Sequence, residues 1–101
     1  MSADNGTYIL WTEGPEFRIK HFHAVDNLYG QYIKESRTWT PNCRAIVEAF
    51  SSSQVFTSLD EAWDEAMKID ASQSYSEYGT NMITDFSAYT FDDLSDQATR
   101  G

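Results

Sequence analysis

The spacing of hydrophobic and polar positions changes several times along the chain, and each change marks an element. Thr7 to Thr12 (TYILWT) is dense in β-branched and aromatic residues and predicts a first strand. Glu13-Gly14-Pro15-Glu16 is turn chemistry, so Phe17 to Val25 predicts a second strand returning as its hairpin partner. Along it Phe17, Ile19, His21, His23 and Val25 alternate with Arg18 and Lys20, which places the odd set against a core and the two charges outside. Val25, Leu28, Tyr29, Tyr32 and Ile33 then follow helical spacing, with Asp26 as an N-cap, and favour a helix. Gly30 weakens that helix by about 1 kcal/mol, and a strand from Tyr29 to Lys34 competes. Thr38 to Asn42, with Pro41, reads as a connection. Arg44 to Phe50 (RAIVEAF) fits either a third strand or a short helix, and Ser51 to Ser53 a loop.

The clearest element comes next. Ser58-Leu59-Asp60-Glu61 is a capping box, in which Ser58 and Glu61 satisfy each other's backbone N–H groups. The helix it opens runs to Asp70, with Leu59, Ala62, Trp63, Ala66, Met67 and Ile69 on its apolar side. Asp60, Glu61, Asp64, Glu65 and Lys68 lie on the other. After a polar linker (Ala71 to Tyr78), Gly79 to Phe86 predicts a last strand. Residues 87–101 form an acidic-aromatic tail around Tyr89-Thr90-Phe91-Asp92-Asp93-Leu94 that fades into polar residues. Together these elements predict a small α+β domain: an antiparallel sheet of about three to four strands, packed by one or two helices in two layers.

Composition supports one folded domain over residues 1–101. At 101 residues, 41% hydrophobic and 15% aromatic, the chain supplies a core without metals or disulfides. Cys43 is the single cysteine, so no intramolecular disulfide forms. No apolar run approaches the length of a membrane span. Met1 to Gly6 lacks the basic and apolar segments of a signal peptide, and a cytoplasmic protein is expected. Asn5-Gly6-Thr7 formally matches a glycosylation pattern but reads as a flexible start or turn.

Charge changes the picture more. The net charge is −9, and it is unevenly spread. Residues 1–50 carry six acidic and five basic side chains, whereas residues 51–101 carry ten acidic and only Lys68 and Arg100 as basic. The second half, at −8, opposes direct contact with nucleic acid or anionic membrane and favours basic partners.

Catalytic and metal chemistry find little purchase. His21 and His23 share one side of a strand, but no spacing marks the further ligands a metal needs, and they read as histidines lining a core. Cys43 follows Pro41-Asn42 with no nucleophile signature. The five glycines are scattered and open no phosphate loop. Asp92-x-x-x-Asp96 lacks the ligand alternation of a calcium loop. Asp60 and Asp64 lie on an exposed face, without the contrasting environments that acid–base catalysis requires of a carboxylate pair. Neither an enzyme nor a cofactor is expected.

The acidic helix face remains. Asp60, Glu61, Asp64 and Glu65 form two columns whose carboxylates repeat about every 6 Å, comparable with phosphates along a nucleic-acid strand. A plain solvated face with acids near the helix N-terminus accounts for the same residues. The −8 balance of the whole second half weighs against it, since solvated surfaces mix signs. Tail residues Phe91 and Leu94, interleaved with acids, read as a docking peptide, or else as a tail that folds back over the core or stays disordered.

In size, charge and acidic helix the chain resembles the small acidic proteins that phages and mobile elements encode to block host machinery, among them nucleic-acid mimics of the anti-CRISPR and anti-restriction kind. The resemblance implies a non-enzymatic inhibitor occupying the basic surface of a host nucleic-acid-binding protein. Asp60, Glu61, Asp64 and Glu65 would supply the charge, with Asp85, Asp92 and Asp93 adding to it. Two rivals stand beside this expectation: an adaptor anchored by Trp11, Trp39, Tyr89 and Phe91, and a metal or enzymatic site on His21, His23 and Cys43. Arg18, Lys20, Lys34, Arg37 and Arg44 make the chain dipolar, which also allows a homodimer.

Overall fold

The structure, a computed structural model, describes residues 5–23, 29–33, 38–41, 43–73 and 75–100. Strand β1 (Gly6–Thr12) pairs antiparallel with β2 (Glu16–Phe22) through the turn at Glu13–Pro15, in a register that sets Ile9 opposite Ile19 and Trp11 opposite Phe17. This is the expected hairpin. Strands β3 (Tyr29–Ile33) and β4 (Thr38–Pro41) form a separate two-stranded antiparallel sheet. Helix α1 (Cys43–Phe50) follows, then a two-residue strand β5 (Val55–Phe56), helix α2 (Leu59–Ala71), strand β6 (Thr80–Ile83) and helix α3 (Phe91–Arg100).

The main sheet has the order β5-β2-β1-β6. β6 joins β1 in parallel, so the sheet is mixed, and the fold is α+β as expected. α2 makes the crossover that the parallel pairing demands, passing over β2 and β1 from one edge of the sheet to the other. The β1 residues Thr7, Ile9 and Trp11 point to the α2 side with Phe17, Ile19 and His21 of β2, because directly opposed residues share a face. Ile9, Phe17 and Ile19 pack there against Ala62 and Ala66 of α2, with Trp11, Phe56, Ile69 and Met82 around them.

The other face holds a second cluster. Tyr8, Leu10, Phe22 and Ile83 pack against Ile46 and Phe50 of α1 and Leu94 of α3. Phe22 meets Tyr8 and Phe50 edge-on, with ring centroids 5.9 and 5.5 Å apart. The sheet–helix pair expected from sequence is the one that β1, β2 and α2 make; α1 and α3 add cover on the opposite face. β1 is accordingly buried on both sides, the condition of a central strand.

Several local expectations are corrected. Residues 29–33 are strand, not helix: Tyr29, Tyr32 and Ile33 suit a strand, Gly30 disfavours a helix, and 38–41 supplies a partner. The remainder of the expected helix lies outside the described residues, as do Val25 at the end of the second strand and the side chain of Trp39. Thr38–Pro41 is strand and not a connection, with Pro41 as its last residue, opposite Tyr29. Arg44–Phe50 resolves to helix, since Ile46, Val47 and Phe50 turn one side to the core. The stretch after Ser87 is a helix for most of its length.

Candidate functional site

Building upward from α2, Ser58 caps the helix with an extended backbone, and its Oγ accepts from Glu61 N at 3.5 Å, which is one half of the expected capping box. Asp60 and Glu61 in the first turn suit the helix dipole. Ala62 and Ala66 are fully buried, and their small side chains let the helix lie close to the sheet. The larger apolar residues in the neighbouring column are therefore left outside. Leu59, Trp63 and Met67 are 46%, 37% and 54% exposed, although the sequence pattern assigns all three to the core side. Successive positions i, i+4 and i+8 align them as one stripe along the helix. Asp60 and Asp64 border that stripe, and Glu61 and Glu65 form the next acidic column. An open cavity of about 500 Å³ lies here, lined by Leu59, Asp60, Trp63, Asp64 and Met82 of β6.

Asp60, Glu61 and Asp64 are exposed and Glu65 is half-buried, all four within the first two turns of α2. Asp85 is exposed just after β6, and Asp92 and Asp93 are exposed in the first turn of α3. α2 and α3 cover opposite faces of the sheet, and the acids of one are separated from the acids of the other by the domain itself. Asp93 is also committed locally. Its Oδ2 accepts from Thr90 N while Thr90 Oγ1 accepts from Asp93 N, both at 3.1 Å, a reciprocal capping box. Thr90-Phe91-Asp92-Asp93 carries that signal within the sequence as Ser58 to Glu61 does, but here acidic residues surround it on both sides of a single leucine.

Arg18, expected outside, is largely covered instead. Its guanidinium lies 4.0 Å from the centre of the Phe91 ring and 3.3 Å from the Glu16 carboxylate, with 11% of the side chain exposed. A groove of about 310 Å³ surrounds the pair, lined by Glu13, Glu16, Arg18, Thr90, Phe91 and Asp92. Phe91 is thus spent inside the fold, Trp11 packs on Phe17 with ring centroids 6.1 Å apart, and Tyr89 stays exposed.

His21, expected on the core side of β2, is half-buried, whereas His23, expected beside it, lies just past the end of the strand and is not covered. His21 sits in a chain of hydrogen bonds at the start of β1, and His23 is exposed with its ring centroid 5.3 Å away. Glu77 N donates to Asn5 Oδ1 at 3.0 Å, and Asn5 Nδ2 donates to the Tyr75 carbonyl at 2.5 Å. These partners fix the amide, so Nδ2 also faces His21 Nε2 as a donor, at 3.2 Å. Nδ1 then carries the ring proton and donates to Thr7 Oγ1 at 2.8 Å, whose own hydrogen goes to Asp70 Oδ1 at 3.0 Å. Ser76 Oγ donates to the same carboxylate oxygen at 2.5 Å. Burial, followed by the nearby His23, holds the His21 pKa below its ordinary value, and Asp70 pulls the other way. Asn5 is therefore a buried tie between β1 and the residues after α2, not a flexible start. Among the described residues, no group of three His, Cys, Asp or Glu side chains is placed to hold a metal ion. Nor is any helix among them long and apolar enough to cross a membrane.

Against protein-family models, curated proteins and solved structures alike, the chain shows no match.

Proposed function

We propose that this protein is a non-enzymatic binding protein that presents the acidic side of α2 to a basic protein surface, as inhibitors that imitate nucleic acid do. The observation that carries the reading is the placement of Asp60, Glu61, Asp64 and Glu65 together on one helix that stands on the outside of the sheet. Asp70, by contrast, is turned into the network around Thr7 and takes no part. The target class is a nucleic-acid-binding protein of the host cell, whose basic groove would otherwise hold phosphates. Surface charges of this kind steer association and are screened within about 8–10 Å at ordinary salt, so binding is salt-sensitive.

The test is retention of host proteins on the immobilised chain, followed by a salt gradient, with the parent compared to a variant carrying Asp60→Lys, Asp64→Lys and Glu65→Lys. The parent should retain a basic nucleic-acid-binding protein that elutes as salt rises, and the variant should lose it while melting normally. Equal retention by both would end the mimic reading.

One observation favours a second reading. The exposed Leu59, Trp63 and Met67 stripe is what an adaptor anchored by apolar contact would offer, although with different residues from those first expected. Retention that hardly changes between low and high salt would support it.

A further inference from the structure

The cavity beside Trp63 combines two chemistries that seldom meet on a plain surface. Its apolar lining, Leu59, Trp63 and Met82, suits a hydrocarbon stem, and its rim carries Asp60 and Asp64 one helical turn apart. Among the described residues no basic side chain pairs with either carboxylate. A neutral apolar anchor would leave both carboxylates to be desolvated without a partner, which is costly. A lysine would satisfy the charge but would not use the indole face as well, because a planar guanidinium stacks and pairs with carboxylates at once.

The molecule already contains such an arrangement on its other side. Arg18 lies over the Phe91 ring at 4.0 Å and against the Glu16 carboxylate at 3.3 Å, in a groove also lined by Glu13 and Asp92. An aromatic ring with flanking acids therefore accommodates a guanidinium in this fold.

We propose that the groove between α2 and β6 is a docking site for an arginine side chain of a basic partner protein, stacked on Trp63 and paired with Asp60 and Asp64. The inference rests on the acidic-surface reading above and deepens it. The groove gives α2 a preferred residue type where charge alone gives only a sign.

The experiment is a titration of the isotope-labelled full chain, followed by NMR, with three short peptides: alternating arginine and serine, and the same with lysine or with citrulline in place of arginine. The arginine peptide should shift the amides of Leu59 to Asp64 and Met82 and the Trp63 indole N–H. The lysine peptide should bind more weakly, and the uncharged citrulline peptide should leave the spectrum unchanged. Trp63→Leu keeps apolar bulk and should weaken the arginine peptide by about fivefold, with a normal thermal melt as the check on folding. If Asp60→Asn with Asp64→Asn weakens the peptide and Trp63→Leu does not, the acidic surface stands and the arginine site is overturned. If neither variant matters, or the shifts fall on Asp92 to Asp96, both readings go.

Discussion

Thr7 has no exposed surface, yet its hydroxyl connects two ionisable groups, accepting from His21 and donating to Asp70. Replacing it with valine keeps the shape and removes the link, leaving the His21 ring N–H without its partner. We expect a loss of about 1–3 kcal/mol in urea unfolding, the cost of an unsatisfied donor; an unchanged midpoint would mean the chain of bonds does not form. The same bonds give a signed pH effect. The unfolded histidine takes up its proton near 6.5, and the folded one at lower pH, because it is buried and beside His23. Below about 6.5 the unfolded state therefore binds more protons, and stability falls as pH drops through that value until the folded ring titrates too. Protonated Nε2 would also face Asn5 Nδ2, donor against donor. His21→Asn, which cannot titrate, should flatten the melting temperature between pH 7.5 and 5.5 relative to the parent. A parallel fall in both would remove His21 as the cause. None of this was legible in the sequence, where Asn5 and Thr7 lie far from both His21 and Asp70. Strand pairing and the return of the chain after α2 bring them together.

At the level of elements, legibility followed how local the signal was. The β1–β2 hairpin and α2 were readable because turn residues, alternation and a capping box all lie within a few positions of what they specify. β3 and β4 were not, since each depends on the other as partner and Tyr29 to Ile33 alone fits two periods. α3 was missed for a different reason: Thr90 and Asp93 cap it, but acidic residues around one buried leucine look like a solvated tail until α1 is placed beside them. The structure makes α3 part of the core, and that can be tested. Leu94 is fully buried with Leu10, Ile46 and Phe50, so Leu94→Ala should cost about 2–5 kcal/mol in global unfolding. Thr90→Ala, removing one half of the cap, should cost about 1 kcal/mol. A tail that merely rests on the surface would leave the unfolding midpoint of Leu94→Ala where the parent has it.

Across the whole molecule, the sequence showed how much charge the second half carries but not where it faces, because facing is decided by the path of the chain through the sheet. β5 and β6 lie at opposite edges, so α2 must cross one face, and α3 then packs with α1 on the other. The −8 of residues 51–101 is thereby divided. Asp60, Glu61, Asp64 and Glu65 look one way, and Asp92, Asp93 and Asp96 belong to the helix on the opposite side. A partner that docks on one side meets one set and feels the other only through screened, long-range attraction. The two sets should therefore separate in experiment. Reversal at Asp60, Asp64 and Glu65 should abolish retention of a basic partner, whereas Asp92→Asn with Asp96→Lys, which spares the Asp93 cap, should change the elution salt only slightly. The slight change should itself shrink as salt rises, since it reflects steering and not contact. Equal losses from the two variants would mean that the partner wraps around the domain, and that neither face alone is the interface.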